Sequence, residues 1–230
     1  MHRTVTTIAR DSAAAALIGS LRWVYGRIAS GKSGKALPAT PQDAEAQIVT
    51  LIRNSATQAG VIGFGTGIGG LFTLPLTLPA NIAGVAALQI NMVQEIARMR
   101  GHDLASQQVE TLTLACLTGN AAVDVLKRAG IKLGGKAAEQ ALGKISSAVL
   151  LRINQAVGFR LVTKGGTTGL VNLGKAVPLV GGLVGGTIDG LSTAAVGNAA
   201  KALFPAKGAP DDAPFAPPPP TALLASPASP

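Results

Sequence analysis

The sequence predicts an all-α fold, a bundle of about six to eight helices with glycine-rich apolar contacts between them. Three observations predict it. Apolar residues recur at intervals of three and four in segment after segment. No run of alternating Val, Ile, Thr and aromatic residues bounded by turns occurs, and Ile131-Lys132-Leu133 is too short to count. Finally, 29 of the 230 residues are glycine and only 3% are aromatic, so small residues must carry much of the helix packing.

Taken in order, residues 4–29 read as a basic helix. Leu17, Leu21, Val24 and Ile28 make one stripe, Arg3, Arg10, Arg22 and Arg27 supply charge, and Trp23 and Tyr25 suit an interface. Lying on a membrane and packing on its own domain are equally good readings of it. A secretory signal fits less well, because the apolar run 13–21 is short and Arg10-Asp11 directly precede it. Thr40-Pro41-Gln42-Asp43 marks a second helix start, with Ala44, Ile48, Leu51, Ile52 and Ala56 as its apolar face.

That helix feeds the centre of the chain. No charge occurs between Arg53 and Glu95, and seven glycines fall in that window. Pro79 suits the first turn of a helix. Ile82, Val85, Ala86, Met92, Val93, Ile96 and Met99 then form one face, which Gln89 interrupts. Gln94, Glu95 and Arg98 lie mostly off that face, so the second half reads as solvated. Gly101 is the expected C-cap. Gly65-Thr66-Gly67-Ile68-Gly69-Gly70 matches a dinucleotide-loop spacing, but a helix-like segment precedes it, and Pro75 and Pro79 interrupt the segment after it. Close approach of backbones, or a sharp turn, accounts better for these glycines.

Beyond Gly101, Asp103 is an N-cap candidate for a helix from Leu104 to Thr118, with Leu104, Val109, Leu112 and Cys116 inward. Asn120 caps a short helix to Arg128, which Gly130 ends. A long helix spans 137–163, facing inward with Leu142, Ile145, Val149, Ile153 and Val157. In the last helical region Gly182, Gly186 and Gly190 stand four apart, as do Gly181 and Gly185; on a helix that is a groove for a second helix. After Phe204 the composition turns to Pro, Ala and Ser. The expected organisation is a basic N-terminal helix and loop (1–36), a helical domain (37–205) and a disordered tail (206–230).

Two segments resemble the EcsC family. The first is Thr66-Gly67-Ile68-Gly69-Gly70 with Leu74-Pro75 and Leu78-Pro79, then Gln89, Met92, Glu95-Ile96-Ala97 and Gly101-His102-Asp103. The second is Val177-Pro178-Leu179-Val180-Gly181-Gly182 with Gly185-Gly186, running on to Phe204. His102 stands where members typically carry an aromatic, and Asp189 stands near a place where they often carry Asn. The resemblance covers roughly residues 40–205. The family takes its name from a bacterial operon that also encodes an ABC transporter. The resemblance therefore implies a bacterial helical protein, and it brings no agreed activity and no agreed catalytic residues.

Charge narrows the function. Charged residues are 13%, against about 25% in an average soluble domain, and the mean hydropathy is +0.39. Residues 1–35 carry +5, 36–126 carry −3, 127–175 carry +8 and 176–230 carry −1, for the net +9. Two basic segments thus flank an apolar centre and favour an anionic membrane surface. Nucleic acid is disfavoured, since aromatics for base stacking are few. The single cysteine, Cys116, reads as a small buried hydrophobe. His2 and His102 are far apart, so no metal and no cofactor is expected.

Three functions compete. The first is a non-enzymatic, membrane-associated helical protein, accessory to transport or envelope processes, at the cytoplasmic side of a bacterial inner membrane or in the cytoplasm. The second is a soluble scaffold binding a protein or an apolar ligand. The third is a hydrolase using carboxylates near Glu95 and Asp103. The positions expected to contact a ligand or another helix are Gly67, Gly69, Gly70, Pro75, Pro79 and Gln89 in the central stretch, the carboxylates Glu95 and Asp103, and Pro178, Gly182, Gly186 and Asp189 near the end.

Overall fold

The computed structural model describes residues 2–31, 37–68, 70–131, 145–171 and 180–206, with side chains over 11–31, 37–66, 82–131, 145–162 and 182–206. Seven α-helices and one 3-10 turn make up the described residues, without a strand. The helices are α1 (His2–Ser30), α2 (Pro41–Ile68), α3 (Gly70–Met99), α4 (Gln107–Cys116), α5 (Ala122–Arg128), α6 (Ser147–Val171) and α7 (Val180–Leu203). Gly69, Pro178 and the tail from residue 207 on lie outside the described residues, as does Leu142 of the expected long helix.

α2 starts as its sequence predicts. The Thr40 hydroxyl oxygen accepts from the Asp43 N–H at 3.1 Å and donates to the Asp43 carboxylate at 2.7 Å, a reciprocal cap. Its inward residues Ile48, Ile52 and Ala59 are buried. α2 and α7 share the most extensive contact among the described helices. They run antiparallel, since Ile52 meets Gly197, Ala56 meets Gly190, Gly60 meets Gly186 and Phe64 meets Gly182. The pairing is close enough to exclude side chains. A Cβ added to Gly186 would lie 2.7 Å from the Gly60 carbonyl oxygen, and one added to Gly63 would lie 2.7 Å from the Gly185 carbonyl oxygen and against the Asp189 carboxylate. The four-residue glycine spacing of α7 is therefore a groove, and α2 fills it.

α3 returns antiparallel to α2 and runs parallel to α7, which Gln89 meets at Ser192 and Thr193, and Arg100 at Lys201 and Phe204. It departs from expectation in both halves. It begins at Gly70, so Pro75 and Pro79 sit inside it and do not open it. Each proline removes one backbone N–H from the helical ladder, and the helix carries through both. The glycines at 63–67 likewise continue α2 and do not turn the chain. The second half of α3 is not solvated: Gln94 is fully buried and Glu95 nearly so, beside Ile90, Met92, Val93, Ile96 and Ala97. α1 covers the face that the three-four pattern left polar, and the Gln94 Nε2 donates to the Tyr25 carbonyl oxygen at 2.9 Å. The capping glycine is as expected. Gly101 takes φ +80, its N–H donates to the Arg98 carbonyl and that of His102 to the Ala97 carbonyl, a Schellman closure.

The cap of α4 is Ser106, whose side chain accepts from the Gln108 N–H, and not Asp103. Asp103 makes a local turn instead, its Oδ1 accepting from the Ala105 N–H at 2.9 Å. Asn120 does not cap α5 either; it lies in the 3-10 turn Gly119–Ala121, and Ala121 precedes α5 without a side-chain cap. Gly130, at φ +88, ends α5 with a second Schellman closure. α6 begins ten residues later than the expected helix at 137 and extends to Val171. Its Ile153 and Val157 are buried, while Ile145 and Val149 pack partly against the core.

α1 packs on α6, α3 and α4. Ala14, Ile18, Leu21 and Tyr25 are its buried face, and Gly158 of α6 sits directly under Ala14 and Ile18. Arg22 reaches Glu110 of α4 with two bonds, at 2.8 and 3.2 Å, and the Tyr25 hydroxyl donates to the Leu104 carbonyl oxygen at 2.8 Å. Burial foremost, with the Glu110 and Asp103 charges adding to it, pushes the Tyr25 phenol up.

A paired substitution separates the close approach from helix propensity. Gly63→Ala should lower the thermal midpoint, since its methyl meets backbone and overpacking costs about 1–3 kcal/mol. Gly65→Ala, two residues on with open space around it, should raise stability by about 0.5–1 kcal/mol. Thermal melts of the two variants check both signs.

Candidate functional site

Of the positions singled out in the sequence, Gln89, Gly182, Gly186 and Asp189 lie at the contacts between α2, α3 and α7. Gly182 and Gly186 line the crossing with α2, and Gly60, Gly63 and Ala56 supply its other side. Gly67 lies in the last turn of α2, Gly70 opens α3, and Pro75 and Pro79 follow within it. Gln89 is buried at 7% exposure and holds α3 to α7, its Nε2 donating to the Thr193 hydroxyl at 3.0 Å and the Ser192 hydroxyl at 3.4 Å. It completes the α3–α7 contact, where the sequence pattern showed only an interruption.

The carboxylates occupy separate settings. Glu95 pairs with Arg98 on the next turn, Nη2 to Oε2 at 2.9 Å, with both side chains largely buried. Asp103 is exposed and engaged in its own turn. Asp189 lies against Gly63 in the α2–α7 crossing. Glu95 and Asp103 thus have different immediate partners, a guanidinium and a backbone N–H. Among the described residues no group of three or more His, Cys, Asp or Glu side chains could hold a metal ion. Cys116 is fully buried, and burial pushes its thiol up, away from reactivity.

A charged knot that no sequence spacing announces closes the opposite end of this layer. Arg100, at the end of α3, donates from Nη1 to the Lys201 and Phe204 carbonyl oxygens at 2.8 and 2.7 Å. The first is an orphan carbonyl of the last turn of α7 and the second belongs to the residue directly after it, so the guanidinium serves as its C-terminal cap. Its Nη2 lies 2.6 Å from Glu45 Oε2 at the start of α2, and Lys201 Nζ pairs with Glu45 Oε1. His102 adds to the same end, with Nε2 2.8 Å from the Pro205 carbonyl oxygen and its ring edge-on to Phe204. One glutamate thereby ties the start of α2 to the ends of α3 and α7. Partial burial raises the Glu45 carboxyl, and the Lys201 and Arg100 cations outweigh that and hold it below the ordinary glutamate range.

This depression sets the sign of the pH dependence. A depressed folded-state value contributes stability that is fully present above the unfolded glutamate pKa of about 4.3. That contribution is lost as pH falls through the folded value. The midpoint gap between the native chain and Glu45→Gln should therefore be constant near neutrality and close as the solution is acidified below the ordinary glutamate range. Melts across an acid series check it.

Comparison with known proteins agrees with the reading of residues 66–103 and 177–204. The model of the EcsC protein family matches residues 29–206, a span from the end of α1 to just beyond α7. The searches of curated proteins and of solved structures return no match. With more than half of the chain inside the family model, and both glycine-bearing segments within it, this chain belongs to the EcsC protein family.

Proposed function

We propose that this protein is a helical, non-enzymatic membrane-surface protein that docks on anionic lipid, in an accessory role to transport or envelope processes. One observation carries the reading: α1 and α6, drawn from the two basic segments of the sequence, pack side by side. Together the helices hold Arg3, Arg10, Arg22, Arg27, Arg152, Arg160 and Lys164 against a single acid, Asp11. Arg27, Arg152 and Arg160 are exposed. So are Trp23, Leu151 and Phe159, at 68%, 59% and 52%. Guanidinium groups interspersed with an indole, a phenyl ring and an aliphatic side chain suit the headgroup region, where charge meets phosphate and the apolar side chains enter the boundary. Nucleic acid would use the charge but not the leucine. Among the described residues no helix is long and apolar enough to cross a membrane, so the proposed contact is with the surface.

Vesicle flotation tests the reading. The chain should float with vesicles of phosphatidylcholine mixed with phosphatidylglycerol, much less with phosphatidylcholine alone, and less again as salt rises. Each basic residue near such a surface is worth about 1 kcal/mol, so Arg152→Gln with Arg160→Gln should weaken partition roughly 30-fold. Equal binding to neutral vesicles, or none to either, contradicts the proposal.

A further inference from the structure

We infer that the end of the molecule built by the last turns of α2, the first half of α3 and the first turns of α7 is a wedge that inserts into the acyl region of one leaflet. The inference rests on the membrane-surface reading above and assigns the inserting element, which the basic layer does not supply.

Helix order brings these segments to one end. α2 and α7 are antiparallel, α3 follows α2 after one residue, and α3 is parallel to α7. The Gln89–Thr193 pairing sets Ile82 level with the Gly185 region, and the Gly60–Gly186 and Phe64–Gly182 contacts set Val61 and Phe64 there too. Val61, Phe64, Ile82 and Leu183 are exposed at this end, by 66%, 38%, 57% and 64%. The principal apolar core lies elsewhere: it draws on α2 at Ile48 and Ile52, on α3 from Ile90 onward and on α7 from Val196 onward.

The chemistry of this end selects the occupant. Residues 54–94 carry no charge, and Asp189 is the one charged residue of α7 before Lys201. A protein partner would be met by a polar, charge-bearing rim around an apolar centre. Here four large apolar side chains from three helices are exposed on segments without a charge, in a chain of net +9 whose charge complements anionic lipid. Asp189 limits the depth. It lies about 14 Å along α7 from Val180, at 1.5 Å per residue, which fits entry into one leaflet and not a crossing.

The test uses the full chain. Trp23, the sole tryptophan, is replaced in Trp23→Phe, and single tryptophans are placed at the exposed positions Val61→Trp, Leu183→Trp and, as a control on α2 before the uncharged window, Val49→Trp. Circular dichroism establishes that each variant keeps its helix content. Each is bound to anionic vesicles whose acyl chains carry bromine, a contact quencher of indole emission. Emission should be largely lost, and blue-shifted, at positions 61 and 183, and retained at 49. Flotation without quenching at 61 and 183 overturns the wedge and leaves the surface reading standing. Quenching at 49 equal to that at 61 overturns the assignment of this end. Absence of flotation by the native chain, with Trp23 in place, overturns both. A lipid-free dimer that Val61→Glu dissociates also overturns the wedge, because a second copy then covers this end.

Discussion

The contact on which this structure depends is a crossing of two helices at backbone range. α2 and α7 approach so closely that at Gly63 and Gly186 there is no room for a side chain, and at Gly60 little. Such a contact gains dispersion from many backbone atoms and loses no side-chain rotamer freedom, because glycine has none to lose. Glycine inside a helix costs backbone entropy, so the crossing must return more than the glycines give up. The rest of the layer is built on it. α3 is laid along α7 by Gln89, and the start of α2, the end of α3 and the end of α7 are closed by Glu45, Arg100 and Lys201. α1 and α4 then cover the remaining face of α3, where Gln94 is buried, and α6 packs on α1 and α4.

Much of this was legible in the residues. The fold class, the start of α2 at Thr40-Pro41, the glycine stops at Gly101 and Gly130 and the groove on α7 all come from local chemistry. What failed was what depends on partners distant in sequence. Of the two readings of the central glycines, close approach of backbones holds at Gly60 and Gly63, but spacing alone does not name their partners on α7. Pro75 and Pro79 argued for a break that the assembled helix overrides. Gln94 and Glu95 looked solvated because a single periodicity cannot show a helix covered on two sides. Asp103 and Ser106 are both good caps, and the chain uses the second. Glu45, Arg100 and Lys201 are separated by 55 and 101 positions, and no spacing rule connects them. Of the candidate positions, Gln89, Gly182, Gly186 and Asp189 lie at contacts between helices distant in sequence, which their spacing alone does not pair.

The two proposed lipid contacts have different physical origins. The α1–α6 layer depends on charge and weakens with salt. The α2–α3–α7 end depends on apolar area and is insensitive to salt over the same range. The glycine crossing links them to stability, since the backbone contacts that hold α2 to α7 near the apolar end leave large side chains such as Val61 and Leu183 free to face outward.

Native-state amide hydrogen exchange tests the central claim most directly, because it ranks segments by the free energy of opening. If the crossing is the contact on which the fold depends, amides of residues 52–63 in α2 and 185–197 in α7 should exchange slowest. They should open together with residues 90–97 of α3, at the free energy of global unfolding. If α2 and α7 exchange through a low-energy opening while α1, α4 and α6 stay protected, the bundle stands without the crossing and the account is wrong.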